Sequence, residues 1–313
     1  MNTIGNRLRF TSFGESHGVA VGGVLDGFPS GVSINFDFVK SELGRRRGAA
    51  EKGSTTRQET DEVEWLSGLL DGVTLGTPIA FALHNIDCRS VDYDMLRSCY
   101  RPGHADYTYQ ARYGVRDFRG GGRASARETA ARVVAGALSK QWLMEQRGIS
   151  VVSSYRLGGS QTGNVGGVVS CTIQGVRAGV GSPVFGKLNA LLSAAEMTIP
   201  SAIGFEMGAG FESIHMSGKQ FADAWEQRSD VATVGTVTNH CGGIQGGISN
   251  GMPIEFRVAF HPVTTQPDGM DCLTDKGEIQ RVVSGGRHDL CQVPRACVIV
   301  EAMAAMVLMD CLL

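Results

Sequence analysis

The chain closes on Val298–Leu313, where Ala302, Met303, Ala305, Met306, Val307, Leu308 and Met309 put apolar side chains on nearly every side of a helix. A helix without a polar face has to lie inside the protein. The rest of the chain must therefore supply layers that enclose it, and it carries the segments to do so. Strands are expected at Leu8–Phe13, Val19–Val24, Glu62–Leu66, Ile79–Leu83, Cys171–Val176 and Glu255–Phe260. Helices are expected at Asp37–Arg47, where Phe38, Val39 and Leu43 share a face, and at Val184–Met197. A further helix is expected after Ser125, with Glu128 completing a capping box and Ala130, Val133, Val134, Ala137, Leu138 and Trp142 forming a buried stripe. Arg101–Arg123 has no period and reads as a loop region. No linker-like stretch divides the chain, so the expectation is one α+β domain over residues 1–313.

No apolar run reaches the roughly 18 residues of a membrane span, and the polar start Met1–Arg7 lacks a signal-peptide profile; a soluble, cytoplasmic protein without membrane partners is expected. Eight cysteines occur without a Cys-x-x-Cys pair, which argues for reduced thiols and against a disulfide framework or zinc ribbon. His288 and Cys291 lack a second ligand pair, so no metal is expected.

Two skews point toward function. Glycine accounts for 43 of 313 residues, with only nine prolines, as expected of many tight turns and close backbone approaches. Arginine outnumbers lysine 23 to 6 and clusters at Arg45–Arg47 and between Arg89 and Arg132. With a net charge of −2, local guanidinium patches suit a small polyanion, and no nucleic-acid partner is expected.

Two motifs invite other readings. Gly14-Glu15-Ser16-His17-Gly18 matches the nucleophile elbow of hydrolases, but only one strand precedes it where that elbow needs a sheet already built. Gly181–Leu188 approaches a P-loop, but Leu188 stands where a magnesium-binding hydroxyl is required, and Pro183 suits the first turn of an ordinary helix.

Three groups combine a titratable residue with glycines and arginines: residues 14–18; Arg101-Pro102-Gly103-His104-Ala105-Asp106 with Arg119–Thr129; and Gly285-Gly286-Arg287-His288-Asp289. A histidine among such groups is a proton carrier near neutral pH. The Gly-Glu-Ser-His-Gly run, the Arg-Pro-Gly-His-Ala-Asp-Tyr-Thr-Tyr run from Arg101, the Arg-Gly-Gly-Gly-Arg run into Ser125–Thr129 and Gly286–Asp289, together and in order, resemble the signatures of the chorismate synthase family over nearly the whole chain.

The resemblance implies a β-α-β sandwich with antiparallel sheets enclosing central helices, usually a homotetramer. It implies 1,4-trans elimination of phosphate and a ring proton from 5-enolpyruvylshikimate 3-phosphate, giving chorismate with reduced FMN and no net redox change. By resemblance, His17 would protonate or hydrogen-bond the leaving phosphate beside Ser16, His104 would serve the reduced flavin, and Asp289 would assist removal of the ring proton. Arg46, Arg101, Arg127 and Arg287 would surround phosphate, carboxylate or flavin. Flavin contacts would come from Arg46, Lys52, Arg123, Ala124, Ser125, Pro200, Ser201, Gly246, His261, Pro262, Val263, Thr264, Thr265 and Arg287. The family usually has lysine where His261 stands, and the chain is shorter than is common, chiefly between Gln146 and Gly175. A monofunctional enzyme served by an external flavin reductant is expected; the departures leave a non-catalytic flavin- or phosphometabolite-binding homologue as the competing reading.

Overall fold

A computed structural model describes residues 1–47, 59–86, 90–159, 164–227, 234–265, 268–283 and 291–313. Its principal elements begin with β1 (Thr3–Ile4), β2 (Arg9–Phe13), β3 (Ala20–Asp26), α1 (Phe36–Arg47), β4 (Glu64–Ser67), β5 (Ile79–His84), β6 (Cys99–Tyr100), α2 (Asp106–Tyr113) and α3 (Thr129–Arg147). They continue with β7 (Ser150–Leu157), β8 (Gly167–Gln174), α4 (Leu188–Glu196), β9 (Ala202–Met207), β10 (Ile254–Phe260), β11 (Met270–Thr274), β12 (Ile279–Val282) and α5 (Val293–Leu312).

Two antiparallel sheets face each other across the helices. One has the order β1-β2-β3-β5-β4 and the other β9-β10-β8-β7. Helix α3 rests on the first sheet, α5 on the second, and the two helices pack on each other. Strands β12-β11-β6 form a smaller sheet with its own buried cluster of Leu96, Cys99, Met270, Cys272 and Val282. The architecture is α+β, with apolar residues facing inward from both large sheets, among them Leu25, Phe81, Val169 and Val258. The helix contact is close because Gly136 opposes Ala302; a Cβ at Gly136 would lie 2.2 Å from the Ala302 Cβ.

Apolar residues of α5 are buried all round, as its composition requires. One charged cluster crosses this interior. Glu301 of α5, only 2% exposed, accepts from Arg45 at 2.6 and 2.7 Å, from Lys140 at 2.6 Å and from Ser153 at 2.8 Å. It thereby ties α1, α3, α5 and β7 together.

Several expectations shift for local reasons. Helix α5 starts at Val293, five residues before the apolar run, because Pro294 fits a first turn that needs no N–H. The expected loop after Arg101 contains α2, closed by left-handed Gly114. The capping box at Ser125 does not form: its hydroxyl accepts from Arg127 N at the head of a short 3-10 turn, while Glu128 pairs with Arg132 at 2.7 Å. Pro183 lies outside α4, which begins at Leu188. Strand β8 spans Gly167–Gln174, earlier than the expected Cys171–Val176. Ser16 sits in the turn between antiparallel β2 and β3, which is not the strand-to-helix corner of a nucleophile elbow. Among the described residues Cys99, Cys171, Cys241, Cys272 and Cys311 are free thiols, and no metal-binding cluster or membrane-length apolar helix occurs.

Candidate active site

The β2–β3 turn and the glycine run before α3 are folded onto each other. Ser16 N donates to Gly122 O at 3.1 Å. Gly120, with φ 58°, lies so close to the His17 ring that a Cβ there would meet His17 Cδ2 at 2.5 Å. Tyr93 packs its edge on the same ring, centroids 5.0 Å apart. Asn85, at the end of β5, holds the turn from beneath: its Nδ2 donates to Glu15 O at 3.0 Å and Gly18 O at 2.9 Å, while its Oδ1 accepts from Arg127 Nε at 2.8 Å. Backbone and imidazole are thus fixed from three sides.

The arginines are oriented by buried acids. Asp61 Oδ2 accepts from Arg46 Nη2 at 3.0 Å, and its Oδ1 accepts from Arg127 Nη1. Asp106 takes Arg101 in two-pronged fashion, Nε at 2.8 Å and Nη2 at 3.0 Å, with Arg116 3.7 Å away. Arg119 grips Asp117 at 2.8 and 3.0 Å. Burial pushes the pKa values of Asp61 and Asp106 up, but the neighbouring guanidiniums outweigh it, and both carboxyls sit below the ordinary range. All three acids stay charged at neutral pH, so the arginines are held by charge-assisted bonds.

His104 lies on the opposite wall. Its Nδ1 donates to Pro102 O at 3.0 Å, which leaves Nε2, 3.0 Å from Thr265 Oγ1, as the ring's exchangeable position. Burial, then the positive charges of Arg101 and His261, lower its pKa, more than Pro102 O and Asp106 raise it. Gly103 is left-handed (φ 70°) and packs against Thr264, where a Cβ would approach the threonine methyl to 2.8 Å. Nearby, Arg123 donates to Ser12 O at 2.9 Å and to the Ser12 hydroxyl, yet its buried Nη1 finds no hydrogen-bond acceptor among the described residues. Ser201 adopts φ 69°, and its carbonyl accepts from His261 N at 3.1 Å, joining two segments of the wall.

The arginines and the two histidines line one cavity of about 1500 Å³. It brings together Ser16, His17, Arg46, Arg101, His104, Arg123, Ala124, Ser125, Arg127, Pro200, Ser201, His261, Val263, Thr264 and Thr265. Gly246 does not line it: it belongs to a hairpin turn between Ile244–Gln245 and Ile248–Ser249. Pro262 is also absent from the lining. Lys52, Arg287 and Asp289 lie outside the described residues.

Sequence reasoning passed over several wall residues. Arg295 lines the cavity from the first turn of α5, where burial and Arg46 push its pKa down to about 10. Starting that helix at Val298 hid it; Pro294 was the available signal. Asp61 and Asn85, which do not themselves line the cavity, were missed because an acid or amide that acts through partners distant in sequence leaves no local pattern; Asp106 was visible in the run from Arg101, but its grip on Arg101 was not.

A family model described as chorismate synthase matches residues 8–160 and 159–313. Chorismate synthase of Phocaeicola vulgatus is 45% identical over 349 aligned positions, covering 99% of this chain and 97% of that protein. The Cytophaga hutchinsonii enzyme of the same name is 46% identical, covering 99% and 96%. A solved chorismate synthase crystal structure superposes with a TM-score of 0.77 at 29% identity, covering 99% of this chain and 92% of that one. The family match restarts at residues 159–160, in the β7–β8 connection, inside the stretch where the chain is expected to be short.

Proposed function

The chain belongs to the chorismate synthase family, lyases that eliminate phosphate and a ring proton from 5-enolpyruvylshikimate 3-phosphate, and from that premise we propose that its arginine-walled cavity holds this substrate against reduced FMN. The observation that carries the reading is the convergence of His17 and His104, distant in sequence, on one cavity with Arg46, Arg101, Arg123 and Arg127.

The donor set suits a flavin mononucleotide. About 1500 Å³ accommodates two small molecules side by side. Arg123 lines the cavity as a cation suited to a phosphate or ring carbonyl, and the Pro200–Ser201 turn and the Val263–Thr265 run contribute to the same lining. Arg123, Ala124, Ser125, Pro200, Ser201, His261, Val263, Thr264 and Thr265 would hold the cofactor. When bound, reduced flavin supplies electron density to the elimination and recovers it; an external reductant would provide it.

The residues perform the rest. Arg46, Arg101 and Arg127 bind anionic groups with guanidiniums preset by Asp61 and Asp106, so little reorganisation is needed as the leaving group gains charge. His17, wedged between Gly120 and Tyr93 with Ser16 beside it, donates a hydrogen bond or proton to the departing phosphate. His104, neutral with Nδ1 donating to Pro102 O, presents Nε2 beside Thr265 Oγ1 as the atom that takes up and returns a proton. Asp289 is assigned to the ring proton by resemblance alone.

The test is anaerobic incubation of purified protein with substrate and dithionite, with and without FMN, following chorismate by absorbance. Chorismate formed only with FMN is expected. Flavin binding without turnover would instead establish the non-catalytic homologue, and turnover without flavin would remove the cofactor's role.

A further inference from the structure

Two walls of the cavity meet on Asp61. The residue lies three positions before β4, its side chain wholly removed from solvent. Its backbone is left-handed, φ 52°, a strained conformation for a non-glycine residue that persists only where the surroundings impose it. One carboxylate oxygen serves Arg46, from the last turn of α1, and the other serves Arg127, from the 3-10 turn that leads into α3. Both arginines line the cavity; Asp61 does not. Arginine carries a long stem with many rotamers. A single carboxylate that gives one oxygen to each guanidinium fixes the separation of the two as well as their directions.

We propose that Asp61 is a positioning residue that sets Arg46 and Arg127 at the spacing needed to receive one phosphate or carboxylate group of the substrate. The proposal rests on the reading of those arginines as substrate-binding. It makes a prediction opposite to that of a simple field effect. If charge alone mattered, removing an acid from a cationic wall would strengthen anion binding. If position matters, removal weakens binding even though the wall becomes more positive.

The experiment compares wild type, Asp61→Asn and Asp61→Gly under anaerobic conditions with saturating reduced FMN. Asparagine keeps the shape and loses the charge. Glycine accepts the left-handed backbone without strain and removes both oxygens. Steady-state kinetics, FMN affinity by fluorescence and thermal unfolding are read on each. In both variants KM for 5-enolpyruvylshikimate 3-phosphate is expected to rise at least about tenfold and kcat to fall as well, because the same arginines meet the departing phosphate, with FMN affinity essentially retained and a lowered melting temperature, since the buried Arg46 and Arg127 lose their counter-charge. An unchanged or lower KM overturns the proposal. So does a rise in KM matched by an equal loss of FMN affinity, or failure of both variants to fold, each of which marks Asp61 as a general structural element. Turnover by wild type with a flat KM across the variants removes only the role of Asp61; wild type without turnover removes the parent reading.

Discussion

Asn85 is the residue whose replacement best separates fold from chemistry. Its side chain makes two neutral hydrogen bonds to the backbone of the β2–β3 turn and one charge-assisted bond from Arg127. At about 1 kcal/mol for each neutral bond and about 1.5–3 for the charged one, the gross loss in Asn85→Ala is about 4 kcal/mol. The site is half-buried, so water re-solvates part of what is exposed, and a net loss of about 2 kcal/mol of stability is expected. The larger effect falls on rate. The two carbonyls held by Asn85 flank Ser16 and His17, and a displacement of roughly 1 Å in reacting groups costs about a hundredfold. Anaerobic turnover of Asn85→Ala is therefore expected to fall about a hundredfold in kcat while the protein stays folded by circular dichroism. Asn85→Asp sharpens the test. It still accepts from Arg127, but it turns a carboxylate oxygen toward the carbonyls of Glu15 and Gly18, which cannot donate. Its kcat should be at least as low as that of the alanine variant, with KM closer to wild type. A folded Asn85→Ala with kcat within threefold of wild type, or an Asn85→Asp faster than Asn85→Ala, would refute the clamp.

Glu301→Gln should destabilise the protein by about 3 kcal/mol in urea unfolding, the lower end for breaking a buried pair, because Arg45 is 42% exposed and regains hydration. Burial raises the Glu301 pKa, but Arg45 and Lys140 lower it further, so its contribution is present above the unfolded value near 4.3 and fades as pH falls through the lower folded value; the wild-type advantage should therefore shrink only in acid. Histidine NMR should place the His104 midpoint below about 6.5, and Arg101→Gln should move it upward by removing a positive neighbour. The sign for stability follows: the unfolded chain takes up this proton first, so stability from His104 is lost as pH falls from about 6.5 toward its folded value. Gly120→Ala should cut kcat by tenfold or more with a small change in melting temperature, since the new methyl meets the His17 ring at a backbone angle unsuited to alanine; an unchanged kcat would show that the ring is free to move.

Local signals carried much of the fold. Alternation and a glycine stop were enough for β2, and the 3.6-residue stripe from Ala130 to Trp142 was enough for α3, because each records a one-sided environment within a short window. The all-apolar end of the chain announced an enclosed helix, and α5 is buried between α3 and the second sheet. The errors arose where tertiary context decides. Residues 106–113 form α2 although their polar, tyrosine-rich composition has no apolar stripe: the only buried residue of that helix is Asp106, held by Arg101. The Ser125–Glu128 pair looked like a capping box, yet Arg132 and Arg123 draw Glu128 away. At the site, glycine-flanked histidines were visible as motifs, whereas Asp61 and Asn85 act through partners distant in sequence and could be found only in three dimensions.

A protein of near-zero net charge holds a cationic cavity through the way its acids pair with its arginines. Asp61 serves Arg46 and Arg127, Asp106 serves Arg101 with Arg116 close by, and Glu128 serves Arg132 with Arg123 3.7 Å away. Each acid thus answers two guanidiniums. Each trio keeps one positive charge; Arg46, Arg127, Arg101 and Arg132 are held by charge-assisted bonds that need no ligand, while Arg116 and Arg123 stand 3.7 Å from their acids. Full neutralisation would orient the arginines but leave nothing for a phosphate or carboxylate; no acid at all would leave strongly repelling cations that move when the ligand leaves. One carboxylate per two arginines gives a rigid wall with residual charge, which is what stabilising a departing anion requires. The overall net charge of −2 follows because the remaining acids are spread over the rest of the chain. The total therefore conceals the cavity, and only the arginine-to-lysine imbalance hints at it from sequence, since a lysine's single ammonium lacks the planar fork that can face an acid on one side and a ligand on the other.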